Sequence, residues 1–176
     1  MKFAIVGSTG FVGSYLSSSL ISASIDFICI DRKRSTHNHN LNSHYFVDFS
    51  DEDTLVKIFD GVDCVFHLVG RAHKPPSSSA DETALFWEAN VDILVSVVKA
   101  SQRAGIKRIV FISSIGVLGN RTFGTPFTDS CLPNPIALYA HSKLAAERFL
   151  ESHLGFSSSL QWVVLRPPLI YGPNCP

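Results

Sequence analysis

The chain has 176 residues, of which 45% are hydrophobic and 17% charged, and its 15 basic side chains balance its 15 acidic ones. This length suits one domain with a sizeable buried core. Zero net charge gives no electrostatic reason to expect nucleic acid or an anionic membrane as a partner.

The cysteines and the apolar runs bear on where the protein works. Four cysteines, Cys29, Cys64, Cys131 and Cys175, are scattered and have neither a C-x-x-C nor a metal-binding spacing. Cys29 and Cys64 lie in apolar runs, where a reduced thiol is a small core residue, and this favours a cytoplasmic protein. The first strand-like run begins at the second residue, so we expect no targeting segment. No apolar run reaches the about 18 residues that a membrane helix needs.

Apolar runs alternate with helical patterns along the chain. Strands are predicted near residues 2–6, 26–30, 44–47, 63–68, 107–112 and 160–165, and helices near 11–22, 51–60, 81–103 and 136–153. Such alternation indicates βαβ units, in which helices cover both faces of a parallel sheet. The predicted fold class is therefore α/β, with a doubly wound parallel sheet.

A glycine-rich turn, GSTGFVG at 7–13, follows the first strand and opens the first helix. Gly7 allows an unusual turn geometry, Gly10 lets phosphates approach, and Gly13 lets helix and strand pack closely. Free N–H groups at the helix start would point at a dinucleotide pyrophosphate. The spacing is G-x-x-G-x-x-G rather than G-x-G-x-x-G. Taken alone, this pattern also fits an ordinary strand–helix turn.

Asp31 ends the second strand, 24 residues beyond Gly7. An acidic residue there can accept hydrogen bonds from the adenosine ribose hydroxyls, which favours NAD over NADP. The basic residues 32–34 that follow could bind a 2′-phosphate, but Asp31 would repel it, so NAD is predicted. The alternative is a charged turn at a strand end.

Residues 35–44 form a polar segment that is predicted to be a surface loop. Its histidines, His37, His39 and His44, could hold a metal ion. A solvated loop is the interpretation we favour, and no metal site is predicted.

The segment 62–70, VDCVFHLVG, reads as a strand whose carboxyl end passes near the cofactor. Ser79 and Glu82 have the spacing of a capping box at the start of the next helix. That helix is apolar on more than one face, so we expect it to be covered on two sides, by sheet and a neighbouring helix or by a second subunit. Asn90 interrupts its apolar face and needs a partner, either as a structural bridge or as part of a relay.

A strand over 108–112 ends at Ser113 and Ser114, and some twenty loop residues follow. A loop of this length in a compact domain is usually functional. Asn134 is predicted to cap the next helix, with Pro135 at its first position.

Tyr139 and Lys143 stand four residues apart on that helix, so the phenol and the ammonium share one face. Tyrosine is a poor base at neutral pH, but a nearby ammonium and an oxidised nicotinamide would lower the pKa of its phenol. Ser114, 25 residues upstream, can bridge the tyrosine and a substrate hydroxyl. By itself the Tyr-Lys pair is usually accidental; after a dinucleotide turn and a strand-end serine it indicates a catalytic set.

These motifs together resemble the extended short-chain dehydrogenases/reductases, in the NAD-dependent sugar-nucleotide epimerase/dehydratase family (UDP-glucose 4-epimerase-like). The stretches that carry the resemblance are GSTGFVG (7–13), Asp31, VDF (47–49), FHLVG (66–70), Asn90, FISSIGVLG (111–119), YAHSK (139–143) and RPPLIYGP (166–173). They cover the whole chain in the family's order. The family also uses the G-x-x-G-x-x-G spacing.

The resemblance implies a Rossmann-type NAD(P)-binding domain over residues 1–176, a nucleotide-diphosphate sugar as substrate, and NAD as cofactor. Tyr139 would be the base, Ser114 would steady the sugar hydroxyl, and Lys143 would contact the nicotinamide ribose. Asp48 would contact the adenine amino group, and Asn90 would support the catalytic helix. The implied cofactor-binding residues are Gly7, Gly10, Phe11, Val12, Gly13, Asp31, Arg32, Asp48, Phe49, Leu68, Val69, Gly70, Asn90, Tyr139, Lys143 and Pro167.

Two departures from the family pattern limit the functional expectation. Dehydratases of this group carry an Asp-Glu pair after the strand-end hydroxyl residue, but Ile115 and Gly116 follow Ser114 here, which argues against dehydration. Family members also continue for a hundred residues or more, so we expect the substrate domain to follow residue 176. The isolated chain should then bind cofactor with little or no activity.

Several functions remain open from the sequence. A 4-epimerase type of reaction is the first hypothesis, and a 4-keto-sugar reductase or dehydrogenase is a close variant. A non-catalytic NAD(P)-binding regulator would usually lose the tyrosine or the lysine, and a purely structural interaction module has no need of this set. By resemblance, a homodimer through helices 81–103 and 136–153 is also expected.

Overall fold

The computed structural model describes residues 1–32, 43–72, 80–122, 124–155, 158–173 and 175. Within these ranges six strands are formed: β1 (Phe3–Val6), β2 (Phe27–Asp31), β3 (His44–Phe46), β4 (Cys64–His67), β5 (Arg108–Ile112) and β6 (Gln161–Leu165). Five α-helices accompany them in the same ranges: α1 (Phe11–Ser22), α2 (Glu52–Ile58), α3 (Ala80–Trp87), α4 (Ile93–Arg103) and α5 (Leu138–Leu154). A π-helical segment, Glu88–Asp92, joins α3 to α4, and a 3₁₀ turn, Ile115–Val117, follows β5.

These six strands are parallel and lie in the order β3-β2-β1-β4-β5-β6. Strand β1 is apolar and central, with Phe3 opposite Phe27 of β2 on one side and opposite Cys64 of β4 on the other. The order of strands reverses between β1 and β4, and in such sheets ligands bind at the carboxyl ends of the strands at this point. The predicted doubly wound α/β fold is confirmed.

The core has a layer on each face of the sheet because successive strand residues point to opposite sides. On one face Ala4 and Val6 of β1 belong to a large apolar cluster with residues of α2, α4 and α5. On the other face Ile5 packs in a smaller cluster with Leu20 of α1. Cys29 and Cys64 are buried free thiols, as predicted.

The helix predicted over 81–103 is interrupted. Residues 88–92 form a π-helical turn, and Asn90 within it is fully buried. A π-helical turn inserts an extra residue into the helix, and such insertions are frequent at functional sites. Here the turn directs the amide of Asn90 at the loop that follows β4.

The predicted start of α5 is wrong. The helix begins at Leu138 with Ala137 as its N-terminal flanking residue, and no side chain of the described residues caps it. Asn134 instead donates its backbone N–H to the carbonyl of Val117 over 2.9 Å, which ties the loop to the 3₁₀ turn. The tertiary hydrogen bond therefore outweighs the local preference of Asn-Pro for a helix start.

The remaining expectations concern the histidines of the polar segment 35–44 and the capping box that was predicted before α3. His37, His39 and Ser79, the first half of the predicted capping box, lie outside the described residues. His44 lies within β3 and is largely buried. Within the described ranges no group of three metal-binding side chains is found, and no helix there is long and apolar enough to cross a membrane.

Candidate active site

The glycine turn requires glycine at two positions. Gly7 has a φ of +96°, and a Cβ added there would lie 2.8 Å from the backbone nitrogen of Val69. A Cβ at Gly13 would lie 2.2 Å from the carbonyl oxygen of Gly7. Gly7 also donates its N–H to Ile30 over 2.9 Å, so the turn is held against β2 and β4 together.

Gly10 borders open space at the start of α1. The nearest atom to a Cβ added there is the Gly7 carbonyl oxygen, at 3.4 Å. Among the described residues no side chain caps this helix end and no acidic residue lies in its first turn, where Phe11 and Val12 supply the first backbone N–H groups. The turn thus leaves room and positive potential for an anion, and a pyrophosphate fits it.

Asp31 lies at the end of β2, beside this turn, with a side chain that is only 5% exposed. Its Oδ1 accepts hydrogen bonds from the Thr9 N–H, at 3.2 Å, and from the Thr9 hydroxyl, at 2.7 Å. Its Oδ2 accepts from the Ser8 hydroxyl and pairs with His44 Nε2 at 2.9 Å. Sequence reasoning found Asp31 but not these partners.

A shallow crevice lies between the end of β3 and the π-helical turn. It is lined by Arg32, Asp48, Phe49, Ser50, Glu88, Asp92, Ile93 and Ser96. Asp48 accepts the Ser50 N–H over 3.0 Å, and this bond holds the pKa of the exposed Asp48 carboxyl below its usual value. Arg32 pairs with Glu88 at 3.4 Å. The buried Phe49 and the exposed carboxylate of Asp48 both line the crevice. This combination suits a flat ring that carries an N–H donor at its edge.

Asn90 fastens the loop after β4. Its Oδ1 accepts the N–H of Arg71 at 2.8 Å, while its Nδ2 donates to the Arg71 carbonyl and to the Ser142 hydroxyl. Ser142 in turn donates to the carbonyl of Tyr139 over 2.8 Å. The prediction that Asn90 needs a partner is met, and Arg71 and Ser142, which sequence reasoning missed, are those partners. The backbone at 68–70 (Leu68, Val69 and Gly70) is therefore linked to the middle of α5.

Lys143 lies beneath that loop and is 4% exposed. Its ammonium donates to the carbonyl of Ile112 over 2.9 Å and lies 4.8 Å from the ring centroid of Phe111. A Cβ added at Gly70 would come within 3.0 Å of the ammonium nitrogen, so this glycine keeps the loop close to it. Burial lowers the pKa of Lys143 to about 8, and Glu147 one turn later opposes that change.

The Tyr139 phenol lies near the Ser114 side chain, which follows the end of β5. Burial raises the pKa of the phenol, while the neighbouring Ser114 hydroxyl opposes that rise. The expected net lowering by Lys143 is not seen, because desolvation of the half-buried phenol is the larger effect and the ammonium is bonded to Ile112. Ser114 also accepts the Gly116 N–H at 3.1 Å, which fixes its hydroxyl at the end of β5.

Two further polar groups hold α5 in place. Arg166 donates to both carboxylate oxygens of Glu147, at 3.0 and 2.6 Å, and so holds α5 against the segment after β6. In that segment Pro167 accepts the Ile115 N–H over 2.9 Å. For the ion pair between Arg166 and Glu147, the sequence offered one signal, the four-residue spacing of Lys143 and Glu147 on one helix face. The arginine that follows β6 could not be inferred from that spacing.

His67 is fully buried at the end of β4. Neither ring nitrogen has a hydrogen-bond partner among the described residues. Burial, together with the charge of Lys143, lowers the pKa of His67 to about 3, so the ring is neutral at physiological pH.

The fold and the placement of these side chains define a class. A sheet of order 3-2-1-4-5-6 with a glycine turn at its switch point is a dinucleotide-binding domain of the Rossmann type. The Ser114–Tyr139–Lys143 set lies on the same edge. The chain belongs to the NAD-dependent epimerase/dehydratase family, whose family model matches residues 3–176.

Individual relatives agree with this assignment. A UDP-glucose 4-epimerase of Vibrio cholerae is 34% identical over 172 residues, which are 97% of this chain and 52% of that protein. A structure of Thermotoga maritima UDP-glucose 4-epimerase with UDP-glucose superposes with a TM-score of 0.80 at 28% identity, covering 94% of this chain and 55% of the other. The Thermus thermophilus UDP-glucose 4-epimerase in complex with NAD gives a TM-score of 0.79 at 26% identity, covering 94% and 54%. The chain thus spans about half the length of the relatives it matches.

Proposed function

We propose that this protein is a NAD-dependent nucleotide-sugar epimerase of the 4-epimerase type. The observation that carries the proposal is the placement of Ser114 beside the Tyr139 phenol, on the helix that carries the buried ammonium of Lys143 one turn later. A phenol, a hydroxyl and an ammonium at one strand edge can take a proton from a sugar hydroxyl. Relatives named UDP-glucose 4-epimerase support the choice of reaction.

We infer that NAD is the cofactor and that it lies along the carboxyl edge of the sheet. The space at Gly10 would take the pyrophosphate, Asp31 the adenosine ribose, and the crevice at Asp48 the adenine. The remaining contacts would come from Gly7, Phe11, Val12, Gly13, Arg32, Phe49, Leu68, Val69, Gly70, Asn90, Tyr139, Lys143 and Pro167. The chemistry that NAD supplies when bound is reversible acceptance of a hydride from the sugar carbon.

The chain's own residues handle the proton. Tyr139 would accept the proton of the sugar hydroxyl as phenolate, and Ser114, which lies beside the phenol, would orient that hydroxyl. Lys143 would stabilise the phenolate electrostatically and bind the ribose on the nicotinamide side. Glu147 and Arg166 hold the helix that carries both groups against the segment after β6.

A net reductase or dehydrogenase of the same family is the second candidate. It is favoured by two relatives with dehydrogenase names, a 3β-hydroxysteroid dehydrogenase/decarboxylase of Arabidopsis thaliana, 30% identical over 130 residues, and a sterol-4-alpha-carboxylate 3-dehydrogenase of Dictyostelium discoideum, 25% identical over 181 residues. A non-catalytic NAD(P)-binding regulator is disfavoured, because this chain has the serine, the tyrosine and the lysine of the proposed catalytic set. Ser114 follows β5, and Tyr139 and Lys143 lie on the neighbouring helix α5.

The test is mass spectrometry of the full protein incubated with a panel of UDP-, GDP- and dTDP-sugars. An epimerase converts one sugar nucleotide into its epimer without added NADH. Stoichiometric NADH consumption or production would overturn the epimerase proposal in favour of the net oxidoreductase. Competition between NAD and NADP in the same preparation reports the cofactor.

The state of the isolated chain and its assembly are part of the proposal. Because the matched relatives are about twice as long, we expect these 176 residues to bind NAD with little or no turnover. We also propose a homodimer through residues 81–103 and 136–153 and a cytoplasmic location, which the free thiols favour. Robust epimerisation by the isolated chain, or a monomer in sedimentation at high concentration, would contradict these expectations.

A further inference from the structure

The four donors around Asp31 are divided between a buried and an exposed side. Oδ2 faces the interior, where Ser8, 5% exposed, and His44 hold it. Oδ1 faces the exposed Thr9, whose hydroxyl can rotate away. An incoming ribose hydroxyl can therefore replace the Thr9 hydroxyl on Oδ1 while the bonds to Oδ2 keep the carboxylate in place.

His44 is the one of these donors whose side chain can carry a positive charge. The Ser8 and Thr9 groups are neutral hydroxyls and a backbone amide, whereas histidine gains a proton between about pH 8 and pH 5. Its Nε2 lies 2.9 Å from Asp31 Oδ2, and its side chain is 10% exposed. The ring is stacked on Phe46 with 4.4 Å between centroids, which fixes its orientation. The pair thus carries one negative charge when His44 is neutral and none when it is protonated.

The other charged and titratable groups near the pair keep their charge over this range. Arg32 is paired with Glu88 and stays positive. Asp48, which interacts with Arg32, has a lowered pKa and stays negative. Cys29 lies opposite His44 in the sheet, and burial raises the pKa of its thiol, so it stays neutral. Among the described groups around Asp31, His44 is therefore the one whose side-chain type can change charge near neutral pH.

We propose that His44 is a positioning and specificity residue that sets the discrimination between NAD and NADP through the charge of its pair with Asp31. With His44 neutral, the carboxylate accepts from a ribose 2′-hydroxyl and repels a 2′-phosphate. With His44 protonated, the repulsion is cancelled and Arg32 next to the pair attracts the phosphate. The inference depends on the proposed binding of NAD at this edge.

The test measures the dissociation constants of NAD and NADP for the 176-residue chain at pH 8.0 and pH 6.0 by calorimetry. In the wild-type chain the ratio of the NADP to the NAD constant should fall on acidification. Part of that fall comes from the 2′-phosphate, which itself gains a proton near pH 6. His44→Gln serves as the matched variant, because its amide can still donate to Asp31 but stays neutral, and so it reports the phosphate contribution alone.

The expected result is a fall in the wild-type ratio at least about threefold larger than in His44→Gln. Equal falls in the two proteins would overturn the role of His44. Failure of NAD to bind at either pH would overturn the proposed function itself, and this inference with it. If His44→Gln does not fold, NMR titration of the His44 ring in the wild-type chain replaces it. A higher titration midpoint with NADP bound than with NAD supports the inference, and equal midpoints contradict it.

Discussion

The ammonium of Lys143 on α5 donates to the carbonyl of Ile112, the last residue of β5, over 2.9 Å. This bond uses one of the three N–H donors of the side chain. It joins α5 to the strand that also presents Ser114. Lys143 and Ser114 are therefore both held at the end of one strand rather than on a mobile loop, which would suit the precise geometry of the proposed proton transfer.

Replacement of Tyr139 by phenylalanine should remove turnover without removing the cofactor. The ring keeps its packing against Phe86, at 6.4 Å between centroids, but has no proton to exchange. We expect the kcat of the full protein to fall by at least about 100-fold, with the NAD dissociation constant unchanged. Progress curves and calorimetry measure the two quantities. Wild-type-like turnover would remove Tyr139 from the mechanism.

Two alanine substitutions in the glycine turn should have different consequences. Gly13→Ala places a Cβ 2.2 Å from the Gly7 carbonyl oxygen, so the turn must move, and a loss of about 3 kcal/mol of stability is expected. Gly10→Ala meets its nearest atom at 3.4 Å and should fold almost as stably as the wild type. Its methyl group would occupy the proposed phosphate position and should raise the dissociation constant of NAD at least about tenfold. Thermal unfolding and calorimetry on both variants separate folding from binding. Tight NAD binding by Gly10→Ala would place the pyrophosphate elsewhere.

Asn90→Asp should destabilise the whole site. The substitution removes the amide donor to Arg71 and Ser142 and places a carboxylate in a fully buried position. A loss of about 3 kcal/mol in the free energy of unfolding is expected by urea denaturation. Asp92→Asn, an exposed change in the same π-helical segment, is the control and should alter stability little. Equal effects of the two changes would mean that Asn90 does not fasten the loop.

Lys143 should make stability rise with pH on the alkaline side. Burial lowers the pKa of Lys143 to about 8 in the folded chain, below the ordinary value of 10.5, so the unfolded chain holds more protons between these values. Relative to Lys143→Met, the wild type should gain about 2 kcal/mol between about pH 7.5 and pH 10. Urea unfolding of both proteins across this range gives the difference. A difference that is independent of pH would mean that the ammonium is not desolvated.

His67 should make stability fall on the acid side. Burial lowers the pKa of His67 to about 3, so below the ordinary value of 6.5 the unfolded chain takes up a proton that the folded chain refuses. The wild type should lose about 1.4 kcal/mol per pH unit below about pH 6 relative to His67→Leu. At pH 8 the two proteins should be similar in stability, since the leucine replaces a ring without hydrogen-bond partners among the described residues. Parallel pH profiles would contradict the burial of a neutral ring.

The parts of the site that depend on local order could be predicted from the sequence. The strand ends, the glycine turn and the location of Tyr139 and Lys143 on one helix follow from spacing along a single element. The partners of Asp31 could not be predicted in this way, because His44 comes next to Asp31 only when β3 pairs with β2. Arg71 was missed because its backbone, rather than its side chain, bonds to Asn90. The start of α5 was wrong because a tertiary bond at Asn134 outweighs local preference.

The close approach of Gly7 to Val69 has a consequence for folding. These residues are far apart in the sequence, and their backbones meet only when β4 has paired with β1. Such long-range parallel pairings carry a high loop-closure cost and form slowly. A nascent chain that has emerged only as far as α2 therefore contains the whole glycine motif, but it lacks the segment after β4 that packs against this motif. Cofactor capture during synthesis should begin only after β4 has left the ribosome.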